Sequence, residues 1–243
     1  VGVFWRLIAK NEQEQLMPLK HSKRYRECLE KVPSGKVPLD QAVEVVQSFK
    51  RTKFDPTVEL HMHLGIDPKQ VEQALRGSLS LPHGIGSTKK VIAFCEGDDV
   101  DKAKAAGATE AGSDELIEKI QGGWMDFDVA IATPPMMRTV SKLGRVLGPQ
   151  GKMPSPKAGT VVTDVETAVK EYSAGKIEYR NDAGGNLHVP VGKASFDSAQ
   201  LVENIEAFVK HVKRIRPSSA KGTYIKTVCL TTTMSPGVLV DVQ

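Results

Sequence analysis

The chain has 243 residues, 40% apolar and 26% charged, a globular composition with room for one large core or two modest ones. No apolar run approaches the roughly 18 residues a membrane-spanning helix needs. The three cysteines, Cys28, Cys95 and Cys229, fit neither a disulfide framework nor a metal-ligand spacing and read as thiols in a reducing compartment. The net charge of +4 is unevenly spread: residues 17–84 carry 11 Lys+Arg against 8 Asp+Glu, residues 176–243 carry 9 against 6, and residues 85–175 carry 11 against 13. If the two ends form one body, that body suits a polyanion and the middle does not; ordinary solvated charge is the alternative.

In chain order, residues 1–16 (VGVFWRLIAKNEQEQL) form a short apolar patch and a polar stretch unlike the rest, and Met17-Pro18 follows as a natural start. From Lys20 the chain is basic, with Lys20, His21, Lys23, Arg24 and Arg26, and then becomes an amphipathic helix ending near the Pro33-Ser34-Gly35 turn; a second helix opens at Leu39-Asp40 with Asp40 as N-cap. Thr57–Gly65 alternates as a strand, with Val58, Leu60, Met62 and Leu64 on one side and Glu59, His61 and His63 on the other; Leu75–Leu81 is read as its partner. The middle alternates strand (90–95), helix (101–106), helix (113–121, capped by Ser113), strand (127–132), a mostly helical stretch (134–147), a Gly/Pro-rich stretch (148–159) and helix (164–174), the order of a small α/β domain. Strands 176–181 and 187–191 flank a hairpin turn at Asp182–Asn186. A helix from Ser198 to Arg214 and a strand from Tyr224 to Thr233 follow, the last broken by Met234-Ser235-Pro236-Gly237.

Catalytic and cofactor patterns are not found. His61 and His63 share a strand face but have no third metal ligand at a recognisable spacing. Gly148-Pro149-Gln150-Gly151-Lys152-Met153 fails as a phosphate loop, because the first glycine of that motif would fall at Val146 and its Ser/Thr at Met153. Gly84-Ile85-Gly86 lacks the third glycine of a dinucleotide fingerprint, and no Gly-x-Ser-x-Gly elbow is present. Asp126 and Asp128 flank Phe127 and read as turn and strand-edge residues. An α/β enzyme with a pocket between domains would need a catalytic constellation that the sequence does not offer. What remains is a binding kit: Lys53-Phe54 before one strand with Thr57 on its polar side, and Thr231-Thr232-Thr233-Met234-Ser235 closing another. Hydroxyls bond phosphate and 2′-OH groups, lysine neutralises phosphate, and Phe or Met packs on sugar or base. From local sequence, Phe54 reads equally as a core residue after a helix, and the threonine run as plain strand propensity.

Seven stretches taken together resemble the ribosomal protein L-one family, bacterial type, the stalk protein of the large subunit. They are MPLKHSKRYRE (17–27), KFDPTVELHMHLGIDPKQ (53–70), LRGSLSLPHGIG (75–86), GGWMDFDVAIATPPMM (122–137), KLGRVLGPQGKMPSPKAGTV (142–161), AGKIEYRNDAGGNLHVPVGKASF (174–196) and SAKGTYIKTVCLTTTMSPGV (219–238). The match covers nearly all of 17–243, in order, and residues 1–16 lie outside it. The resemblance implies two domains. A discontinuous α+β RNA-binding domain is made of 17–84 and 176–243, and a smaller inserted α/β domain of 85–175 sits on a two-strand hinge at Gly84, Gly86 and Gly175. It implies a cytoplasmic, ribosome-bound protein without cofactor, metal or catalysis, monomeric off the ribosome. Its partners would be the stalk region of large-subunit (23S) rRNA, its own operon mRNA, which it would repress, and deacylated tRNA leaving the E site. Carried over by motif, the RNA contacts are Lys53, Phe54, Thr57, Arg180, Thr227, Thr233, Met234 and Ser235. Ser235 stands where the family usually has glycine, which allows close RNA approach. Thr227 stands where serine is usual and keeps the hydroxyl.

Overall fold

The computed structural model describes residues 21–49, 52–70 and 72–242; the expectations for residues 1–16 and for Met17-Pro18 lie outside these. The N-terminal part supplies α1 (Lys23–Glu30), α2 (Leu39–Gln47), β1 (Thr57–Leu64) and β2 (Arg76–Leu79). The middle supplies β3 (Val91–Phe94), α3 (Asp98–Ala105), β4 (Glu110–Gly112), α4 (Asp114–Gln121), β5 (Val129–Ala132), α5 (Met137–Val140), α6 (Gly144–Leu147) and α7 (Val165–Ser173). The C-terminal part supplies β6 (Ile177–Arg180), β7 (Asn186–Lys193), α8 (Ser198–Arg214), β8 (Ile225–Thr232) and β9 (Val238–Val240). No helix among the described residues is long and apolar enough to cross a membrane.

The two chain ends build one antiparallel sheet in the order β7-β1-β8-β9. Strict alternation along β1 buries Val58, Leu60, Met62 and Leu64 completely or nearly so. They meet Ala42, Val43 and Val46 of α2 and Leu201, Ile205, Phe208 and Val212 of α8 in one core. α8 holds its place through an Asp197/Gln200 capping box and the cationic Lys213 and Arg214 in its last turn, both favourable to helix termini. Because both helices cover the same face, the other face of the sheet is left open, and it carries the polar residues of β1.

The middle segment folds around a parallel sheet, β4-β3-β5. Val91–Phe94 and Val129–Ala132 are buried along their whole length, as strands covered on both faces must be. One face packs Leu116, Ile117 and Ile120 of α4 with Val140, Leu143 and Leu147; the other packs Ala103 of α3 with Val165, Ala168, Val169 and Tyr172 of α7. β2 and β6 form a separate antiparallel ribbon.

Several expectations need correction. Leu75–Leu81 does not pair with β1, because β7 and β8 already occupy both edges of β1; its central residues pair with β6 instead. The Asp182–Asn186 turn is present, with Asp182 Oδ1 accepting from the amides of Gly184 (2.8 Å) and Asn186 (2.7 Å). Its two strands nevertheless share only the Asn181–Leu187 bridge before joining different sheets. The N-cap of α2 is Pro38; Asp40 lies inside the first turn, where it faces the positive helix end. Ser113 occupies the N-cap of α4 but its side chain makes no capping bond. The 134–147 helix is broken by a 3-10 turn at Ser141–Leu143, where the Ser141 hydroxyl bonds back to Met137 O at 2.6 Å, a bond that bends helices. The middle helix expected at 101–106 begins at Asp98, and the short strands β4 and β9 had no periodic signal.

Candidate nucleic-acid interface

The antiparallel register sets the start of β1 beside the end of β8. Thr57 N donates to Thr233 Oγ1 (3.1 Å), and Thr233 N donates to Thr57 O (3.0 Å). Residues 53–57 and 232–235 therefore lie side by side although 176 positions separate the two threonines. β7 adds Lys193, the register partner of Thr57, whose ammonium donates to Thr57 Oγ1 at 2.8 Å. α1 adds Arg24, which donates to Met234 O at 2.6 Å.

Two side chains here behave against ordinary burial. Only three large hydrophobic residues among the described ones are exposed, and Phe54 (54%) and Met234 (69%) are two of them. Phe54 is thus not the core residue that local sequence allowed. Met234 is also the only non-glycine residue with positive φ among the described residues, at 69°. It sits in a turn closed by Ser235 N donating to Thr232 O at 2.9 Å. A left-handed L-residue costs about 1 kcal/mol or more, and an exposed thioether recovers none of it by packing. Backbone strain on an exposed apolar side chain is a mark of a contact surface.

Lys53, Phe54, Thr57, Thr233, Met234 and Ser235 come together at this edge. Thr227 lies on the same open face, opposite His63; at roughly 3.4 Å per residue it is about 20 Å along β8 from Thr233. Arg180 is exposed at the end of β6, paired with Arg76 in the separate ribbon, away from the Phe54–Met234 edge. The Ser235 hydroxyl accepts from Thr232 Oγ1 at 2.7 Å, so the extra side chain at this position is turned into the turn rather than held outward. Sequence reading passed over Lys193 because the strand was ended at Val191, two residues short of its true end, and passed over Arg24 because its contact crosses 210 positions.

Between the two threonine ends of the open face runs a polar row. His61 Nδ1 lies 2.8 Å from His188 Nδ1, and His61 Nε2 lies 3.0 Å from Thr231 Oγ1. His63 Nδ1 lies 2.8 Å from Asn186 Oδ1. The two histidines of β1 therefore turn to different partners, and no group of three or more His, Cys, Asp or Glu among the described residues is arranged to hold a metal ion. Asp126 and Asp128 hold Lys90, through its ammonium (2.7 Å) and its amide (2.9 Å), at the entry to β3. All three cysteines are free and buried.

The model of the Ribosomal protein L1p/L10e family matches residues 46–236. The chain belongs to this family. A protein of Kosmotoga olearia named large ribosomal subunit protein uL1 is 51% identical over 225 residues, 92% of this chain and 97% of its own length. The proteins of the same name from Lactobacillus gasseri and Lactobacillus acidophilus are each 50% identical over 223 residues, 91% of this chain and 97% of their own. In this family member the exposed edge is built from both ends of the matched region.

Proposed function

We propose that the protein is a structural, non-enzymatic constituent of the large ribosomal subunit in the cytoplasm, and that it grips stalk-region rRNA with the open face and the Phe54–Met234 edge. The observation that carries this reading is the pairing of an exposed aromatic with an exposed, backbone-strained methionine. Both stand beside threonine hydroxyls and the Lys193 ammonium. Such a surface suits the sugars, phosphates and unstacked bases of folded RNA better than a regular duplex.

In this reading Lys53, Phe54, Thr57, Thr233, Met234 and Ser235 make the central contact. Thr227 receives RNA further along the sheet, and Arg180 touches a flanking segment. The two bodies, 17–84 with 176–243 and 85–175, act as domains joined at Gly84, Gly86 and Gly175. Supporting this, residues 28–85 and 177–240 share one hydrophobic cluster while 91–172 form two others. The crossing segments also touch at glycines: a Cβ on Gly84 (φ 61°) would lie 2.6 Å from Ala174 O, and one on Gly175 (φ 104°) 3.1 Å from Ile85 N. A domain so mounted can follow deacylated tRNA out of the E site, and a monomer with a free RNA face can hold the same fold in its own mRNA and repress translation.

The test is a binding series with a large-subunit stalk rRNA fragment and a duplex of equal length. Tight binding to the first, much weaker binding to the second and a modest salt slope for the affinity are expected. Equal affinity for both RNAs would end the reading.

A further inference from the structure

The open face holds a group that the contact set above does not use. His61 and His188 stand opposite each other on β1 and β7, their Nδ1 atoms 2.8 Å apart, with Thr231 of β8 at 3.0 Å from the other nitrogen of His61. His188 Nε2 lies 3.6 Å from Asp182 Oδ2, and His61 Nε2 lies 3.7 Å from Glu59 Oε2. The histidine side chains are 26% and 53% exposed, so the pair is open to a ligand from the solvent side.

Proton counting limits what this pair can do. Two neutral imidazoles carry one N–H each, and one of these protons lies between the Nδ1 atoms, given by one ring and accepted by the other. A third proton can enter at an outer nitrogen without disturbing that bond. A fourth would set N–H against N–H at 2.8 Å and break it. The pair is built to exist as a neutral unit or as a cation of one charge.

We infer that the His61–His188 pair is a contact site for a phosphodiester of the bound RNA, filled with uptake of one proton. The inference rests on the RNA reading above. It is carried by position: the pair lies between the Thr57–Thr233 end and Thr227 on one sheet face, so RNA touching both must cross it. Facing His61 are Glu59 and His63 of β1, His188 of β7 with Asp182 behind it, and Thr231 and the buried Cys229 thiol of β8. Glu59 and Asp182 are the carboxylates beside the pair, and while it is neutral a phosphate there would meet both of them. One added proton supplies a charge-assisted donor at the crossing point. In the free protein, burial and the neighbouring His188 hold the His61 pKa below its ordinary value against the opposing pull of Glu59, so the proton arrives with the phosphate.

The experiment measures the affinity of the full chain for the stalk rRNA fragment across about pH 7.5 to 6.0, for wild type and for His61→Asn/His188→Asn, with melting curves to show that both are folded. Wild type is expected to tighten by about fivefold more than the double variant over this range, up to the limit of tenfold per pH unit set by one linked proton. Titrations followed by calorimetry in two buffers of different ionisation enthalpy should show proton uptake by wild type only. Because the same RNA is used for both proteins, protonation of its bases cancels. Equal pH slopes with binding retained would overturn the histidine site alone. No binding by folded wild type at any pH would overturn the RNA reading and this site with it.

Discussion

Replacing Met234 with glycine separates strain from contact, because the two consequences have opposite signs. Met234 has φ 69° and is 69% exposed. Glycine adopts that backbone without penalty, which relieves about 1 kcal/mol; its greater freedom in the unfolded chain takes back roughly 0.4–1 kcal/mol. The Arg24 guanidinium donates to the backbone carbonyl of residue 234 at 2.6 Å, an acceptor that glycine keeps. Stability in urea should therefore stay level or rise by up to about 0.5 kcal/mol. Affinity should move the other way. Burying a methionine side chain is worth roughly 1.5–3 kcal/mol, and the 69% now exposed gives about 1–2 kcal/mol available to RNA, or about 5- to 30-fold in Kd. Urea melts and filter binding on the stalk rRNA fragment read the two quantities. Unchanged affinity in a variant of unchanged stability would show that RNA does not cover this side chain; a clear loss of stability would refute the strain argument.

Asn204, fully buried, donates to Gly84 O (3.0 Å) and Val191 O (2.9 Å) and accepts from His83 N (3.1 Å). Asn204→Leu leaves three backbone groups without partners, and at roughly 1–3 kcal/mol each it should cost about 3 kcal/mol or more in urea unfolding; a loss below about 1 kcal/mol would mean that water replaces the amide. Gly84→Ala sets a methyl carbon 2.6 Å from Ala174 O at φ 61° and should destabilise by about 1–3 kcal/mol, whereas the same change at Gly35, whose Cβ would meet nothing within 4 Å, should be near neutral in the same melts. Acid should weaken the fold through His61 and His211. Burial holds both below the ordinary value of 6.5, helped by His188 at the first and Arg214 at the second. The unfolded chain then binds protons first, so stability is full above about pH 6.5 and falls as pH drops through the lowered folded values. Melting temperatures flat from about pH 7 to 5 would contradict this.

Local pattern carried those parts of the fold whose environment is uniform along the element. Thr57–Leu64 alternates because one side meets α2 and α8 and the other meets solvent, and a period of two records that difference directly. Val91–Phe94 and Val129–Ala132 are apolar throughout because helices cover both faces. Pairing was not legible in the same way. Arg76–Leu79 has a half-exposed pattern that suits any free edge, and its partner was decided by β7 and β8 filling β1 from more than a hundred residues away. β9 is three residues long, too short to establish an alternation, and exists because β8 offers it an edge.

The candidate site divides along the same line. Hydroxyls and a lysine at strand ends are visible as residue types, but exposure is not a property of a residue type, and Phe54 read from its neighbours alone could have gone into the core. Its exposure follows from the Thr57–Thr233 ladder, which ends the sheet at that level and leaves residues 53–55 exposed beyond the buried Pro56. Met234 is a sharper case. No propensity scale places methionine at a left-handed position, where glycine would serve the turn better. A sequence that holds methionine there and leaves it uncovered has kept a worse turn former for what its side chain can touch. Where local preference and observed conformation disagree on an exposed residue, the disagreement marks a candidate contact surface.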